Sequence, residues 1–93
     1  MQVVFEAPLV ATRHGRALIH LVTLPDETSD FLNDLPLARG GFGSIKVEAG
    51  VGTTTWKTSI FPDGDTFLLL IAKKLILKEN LEVGKQIEIT LEI

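Results

Sequence analysis

The sequence predicts an all-β protein, mainly β with two short helices, closed into a small β-barrel. Three observations carry that prediction. The end of the chain alternates strictly, with Ile87, Ile89, Leu91 and Ile93 apolar and Glu88, Thr90 and Glu92 polar, as a strand with one wet face requires. The same period recurs in Ile45, Val47, Ala49 and Val51, with Lys46 and Glu48 facing the other way. Helical spacing is confined to two brief segments, and strands of this length left with open edges would invite edge-to-edge association, which closure of the sheet prevents.

In chain order, Val3, Phe5, Ala7 and Leu9 alternate with Gln2 and Glu6. Pro8 lacks the N–H that a ladder needs, so this strand belongs at an edge. Arg16 to Leu24 is apolar on both faces and calls for cover on both sides. After Pro25, the cluster Asp26, Glu27, Thr28 and Ser29 supplies N-cap oxygens. Phe31 and Leu35 then repeat at helical spacing, which predicts a shielded face, and Pro36 stops the helix. Gly40, Gly41 and Gly43 read as a loop with positive φ angles leading into the strand at Ile45.

Thr53 to Phe61 forms the next strand. Thr54, Trp56, Thr58 and Ile60 share one face, and Thr55, Lys57, Ser59 and Phe61 share the other. The area an indole buries favours Trp56 in the core over Trp56 as a stacking platform. Asp63-Gly64-Asp65 is a tight turn. Thr66 to Ala72, where Phe67 to Ile71 run together, predicts a strand covered on both faces, central to the core or at a subunit interface. Lys73 to Leu81 carries Leu77 and Leu81 at helical spacing, and Gly84 breaks the chain before the last strand.

Composition bounds the function. A chain of 93 residues makes one domain, 1–93, able to bury one modest core. No apolar run approaches the ~20 residues a membrane helix needs, and Met1 to Glu6 has no basic leader region. The absence of cysteine excludes a disulfide scaffold and thiolate metal sites and points to a cytoplasmic protein. A net charge of −3 has the wrong sign for general attraction to nucleic acid or anionic membranes.

No spacing in the chain matches known chemistry. Counting from Gly41 and Gly43, the third glycine of a dinucleotide fingerprint would have to be Lys46, inside a strand; counting from Gly50 and Gly52, it would be Thr55. Ser59 has no nucleophile-elbow glycines around it. His14, beside Gly15, belongs to an exposed turn and His20 to a strand, neither with a metal-ligand partner. If Asp63 opened a calcium loop, its closing glutamate position would be Lys74. Glu48, Glu88 and Glu92 lie on outward strand faces, where carboxylates are solvated. The sequence therefore assigns no catalytic residue, no cofactor and no metal. Lys73, Lys74 and Lys78, with Lys57 or Arg39 joining them in space, form the one basic cluster, and Glu79 and Glu82 in the same region favour a solvated helix face over a nucleic-acid site.

Gly41-Phe42-Gly43-Ser44-Ile45-Lys46-Val47-Glu48, followed by Trp56-Lys57-Thr58-Ser59-Ile60-Phe61-Pro62-Asp63, resembles the signature of a family of small bacterial proteins, domain of unknown function 1905. Weaker similarity runs through Leu24-Pro25 and Leu81-Glu82-Val83-Gly84. The resemblance implies a double-split β-barrel, an architecture shared with swapped-hairpin transcription regulators and antitoxins. The chain departs from the family pattern at Leu69-Leu70-Ile71-Ala72, where a Leu-Pro-x-Lys run is usual, and at Lys85, where aspartate is.

Together these features predict a non-enzymatic binding or interaction module. Its candidate site comprises Arg39, Gly41, Phe42, Gly43, Lys57 and Ser59, facing a small molecule or a protein, with no membrane partner, and a homodimer is compatible with the Phe67 to Ile71 run. The alternatives are a DNA-binding regulator, by fold analogy, and an enzyme, for which His14 or His20 would need a carboxylate beside it.

Overall fold

The computed structural model describes residues 1–93. Its strands are β1 (Gln2–Pro8), β2 (Val10–His14), β3 (Ala17–Thr23), β4 (Ile45–Val51), β5 (Thr54–Asp63), β6 (Thr66–Leu70) and β7 (Gln86–Glu92). The helices are α1 (Asp26–Asn33) and α2 (Lys73–Lys78), and a 3₁₀ turn spans Gly41–Gly43. All strand pairings are antiparallel, and they build one seven-stranded sheet in the order β1-β7-β4-β5-β6-β3-β2.

Alternation decides which face of each strand is dry. Ile45, Val47, Ala49 and Val51 of β4 and Ile87, Ile89 and Leu91 of β7 all point into a cluster of 18 buried apolar residues. Phe5 and Ala7 join them from β1, Ile60 from β5, and Phe67 and Leu69 from β6. Lys46, Glu48, Glu88 and Glu92 lie on the outer face, exposed. Leu32 of α1 and Leu75 of α2 complete the cluster from the helices.

The sheet is an open half-barrel and not the closed barrel the strand count suggested. It bends about β5, whose residues Thr54 to Ile60 pair with β4 while Phe61 to Asp63 pair with β6. The terminal strands β1 and β2 are joined through Leu9, which is buried, donates its N–H to the Lys85 carbonyl and accepts from Gly84. No ladder connects them. Pro8 has no N–H to give at that joint, and β2 pairs with β3 alone. The edge position expected of the first strand is thereby observed.

Local expectations fail in four elements, β3, β6, α1 and α2. β3 is not covered on both faces: it meets β6 only through Leu21 to Thr23, so the β2–β3 hairpin projects and Leu18 is 52% exposed. On β6, Phe67 and Leu69 are buried, Leu68 is half-buried and Leu70 is 47% exposed, so that second face is covered only in part. In α1 the buried pair is Ser29 and Leu32 and not Phe31 and Leu35; Phe31 is 47% exposed. Pro25 occupies the cap position there, and no side chain caps the helix; the Ser29 hydroxyl instead donates back to the Leu24 carbonyl at 3.4 Å. In α2 the inward residue is Leu75, and Leu77 is 68% exposed.

The strand β2 is one that periodicity missed. Ala11 and Thr12 are both half-buried, so its alternation is blurred, and its only signal was the two-residue Gly15-Arg16 turn between His14 and Ala17.

Candidate functional site

The loop before β4 is built by short-range hydrogen bonds. The Gly40 N–H donates to the Ser44 carbonyl at 2.8 Å, the Gly43 N–H to Gly40 at 3.1 Å, and the Ser44 N–H to Gly41 at 3.2 Å. Closing so tight a turn drives two successive residues into the left-handed region, Phe42 at φ 59° and Gly43 at φ 74°. Glycine suits such a position; phenylalanine does not. Phe42 is also 95% exposed, the most exposed large apolar side chain of the protein.

Arg39 braces this loop. Its Nη1 donates to the Gly43 carbonyl at 2.9 Å and its Nη2 to Asn33 Oδ1 at 3.3 Å, and its guanidinium carbon lies 5.3 Å from the centre of the Phe67 ring. Asn33 in turn donates to the Asp65 carbonyl at 3.2 Å. The loop is thus tied to the end of α1 and to the β5–β6 turn. Three of the guanidinium's neighbours are structural, so Arg39 acts as a positioning group.

Lys57 and Ser59 sit on the outer face of β5, opposite Glu48 and Lys46 of β4 respectively. They line one shallow depression with Lys46 and Phe61, while Arg39 and Gly40 line another with Leu37, Lys46 and Ile93. Lys46 belongs to both. Of the six residues singled out from the sequence, Arg39 lines one depression and Lys57 and Ser59 the other, the two meeting at Lys46, while Gly41, Phe42 and Gly43 line neither.

On the same outer face, register places Gln2, Glu92, Glu48 and Lys57 in one row across four strands. The carboxylates are solvated, and the only ion pair among them is Glu92 with the Met1 ammonium at 3.4 Å. No group of three His, Asp or Glu side chains converges in a way that would hold a metal. His14 is exposed at the end of β2 and His20 half-buried on β3, with no carboxylate bonded to either.

Two arrangements were not legible in the sequence. Glu79, just past α2, accepts from the Thr54 hydroxyl at 2.7 Å, from the Thr53 hydroxyl at 3.2 Å and from the Thr53 N–H at 3.4 Å. The Thr54 bond chiefly holds its carboxyl below the ordinary value; partial burial opposes this, and the Thr53 donors and neighbouring Lys78 add to it. The second arrangement concerns Trp56, which is half-buried against the core and lines the space beside α2 together with Lys73 on one side and Lys74 and Lys78 on the other. Lys57 and Arg39 do not join that cluster: Lys57 lies on the opposite face of β5 and Arg39 at the glycine loop.

The fold and its surfaces define a small all-β protein, an antiparallel half-barrel with aromatic, ammonium and hydroxyl groups exposed around an apolar interior. The family model described as Domain of unknown function (DUF1905) matches residues 5–91, and the chain belongs to that family. Comparison with curated proteins and with solved structures finds no match in either.

Proposed function

We propose that this protein is a non-enzymatic interaction module that engages a protein partner through the Arg39–Gly43 loop and the adjoining strip of Lys46, Lys57 and Ser59. The observation that carries this reading is Phe42, a fully displayed aromatic ring held at positive φ by a braced loop. Backbone strain of this kind costs about 1–3 kcal/mol and is retained where it serves a function. An exposed aromatic anchor beside ammonium and hydroxyl groups fits a partner offering an apolar pocket rimmed by acidic side chains. The same proposal includes the double-split form of the barrel, supported by the way β6 parts from β5 after Phe61, and a cytoplasmic setting, supported by a core that needs no disulfide.

The test is photo-crosslinking in cells with p-benzoylphenylalanine placed at position 42 and, as a control, at the exposed Leu77. The proposal expects a discrete adduct from position 42 alone, and the purified partner should bind the Phe42→Ala variant roughly thirtyfold more weakly. Adducts indistinguishable between the two positions would refute it.

A further inference from the structure

A second surface lies on the other side of β5. Along Thr54 to Ile60 that strand is paired with β4 on one edge only; its second edge finds β6 no earlier than Phe61. α2 runs beside the gap, anchored at its far end by Glu79 on Thr53 and Thr54. What remains open is a groove of two lobes that meet at Trp56 and Ala72. One lobe, of about 570 Å³, is mainly apolar, with Leu18, Leu70 and Ile71 among its walls and His20 and Thr58 at its rim. The other, of about 340 Å³, is walled by Thr54, Lys74 and Lys78 over Leu75.

The groove is therefore graded: mainly apolar at one end with Lys73 at its edge, a half-buried indole in the middle, and the ammonium groups of Lys74 and Lys78 at the other. Lys73, Lys74 and Lys78 form no ion pair, and the nearest carboxylate, Glu79, is occupied by its threonine donors. We infer that this groove binds a mononucleotide, with the base stacked on Trp56 and lying toward Leu18 and Leu70, and the phosphates held by Lys74 and Lys78.

Four features select that ligand class. A base stacked on an aromatic ring tightens binding roughly tenfold or more, and a half-buried indole gives the ring a fixed pose. Lys74 and Lys78 lie four residues apart on one short helix, a rise of about 6 Å, which suits one or two phosphates and not a polymer track. With a net charge of −3 and an outer face rich in glutamate, the surface beyond the groove repels further phosphates. The lobe volumes fall in the ~300–1,000 Å³ range of small-ligand sites.

Trp56 is the chain's only tryptophan, so its fluorescence reports on this groove alone. ADP, adenosine and inorganic pyrophosphate are titrated separately into the intact protein at low salt, with calorimetry in parallel. ADP should quench Trp56 saturably with a Kd below about 1 mM, and adenosine and pyrophosphate should each bind roughly tenfold or more weakly. The K74A/K78A double variant should lose roughly tenfold in ADP affinity with its adenosine affinity and circular dichroism unchanged, and Trp56→Leu should lose ADP binding by calorimetry. Absence of a saturable response to ADP overturns the assignment. So does equal affinity for ADP and pyrophosphate, which would leave the indole without a part, or equal affinity for ADP and adenosine, which would leave the lysines without one.

Discussion

Replacing Phe42 with glycine should make the protein more stable, although it deletes the largest side chain of the loop. Phe42 sits at φ 59°, ψ 22° and is 95% exposed. Its ring is almost wholly in water, so removing it forfeits next to no burial. Left-handed backbone costs a residue with a Cβ about 1–2 kcal/mol, which glycine avoids. Against this, glycine gives the unfolded chain extra freedom worth about 0.4–1 kcal/mol. The difference favours Phe42→Gly by about 0.5–1 kcal/mol, which for a chain of this size raises Tm by roughly 4 °C.

The neighbouring position should behave oppositely. Gly43 lies at φ 74°, and a Cβ there would stand 3.2 Å from Pro62 Cγ, so Gly43→Ala should lower stability by about 1 kcal/mol or more. Both variants are compared with the parent by thermal and urea unfolding. A lower Tm for Phe42→Gly would mean that the ring is packed in solution, and the account of a strained, displayed aromatic would fall with it.

Three further outcomes are expected. Gly52 sits at φ 57° in the β4–β5 turn, and a Cβ there would push the Glu79 carboxylate off its threonine donors; Gly52→Ala should cost about 2 kcal/mol in urea unfolding from backbone strain and the lost bonds together, and a neutral effect would contradict both. The Glu79 carboxyl is held below its ordinary value of 4.5 in the folded state, so its contribution to stability is present above that pH and fades as pH falls through the folded value; Glu79→Gln should remove this part of the acid dependence, and an unchanged acid limb in the unfolding curve would show that the threonine bonds do not hold in solution. Arg39→Lys cannot reproduce the fork that reaches both Gly43 and Asn33, so amide exchange at Gly43 and Ser44 should quicken several-fold while the β4–β7 ladder stays protected; equal exchange in parent and variant would show that the loop holds itself.

The faces of β1, β4, β5 and β7 were legible because a strand's period of two is local: Ile45 and Val47 turn inward and Lys46 outward whatever the strand's neighbours are. The glycine loop was legible only at Gly43, which has positive φ; Gly40 and Gly41, expected to share it, do not, and the second left-handed residue is Phe42, whose side chain does not announce it. The doubly apolar runs misled. Leu18 and Leu70 are hydrophobic enough for a core, yet the β2–β3 hairpin meets the sheet over only Leu21 to Thr23, and the uncovered residues line a groove instead. Helical spacing in α1 and α2 gave the elements but the wrong faces, since one or two turns offer too few residues to define a stripe.

By itself, then, the sequence determined a β-rich chain with one dry face per strand, a flexible-backbone loop ahead of β4, and a family signature spanning that loop and β5. Only the tertiary structure decided that the sheet stays an open half-barrel, that Arg39 serves as a brace, that Lys46 joins the two outer patches, and that Trp56 meets the lysines of α2 and not Lys57. The division has a physical cause. Alternation is written in neighbouring residues, whereas which strand edges pair, and which side chains come together across the gaps they leave, depends on register between segments tens of residues apart.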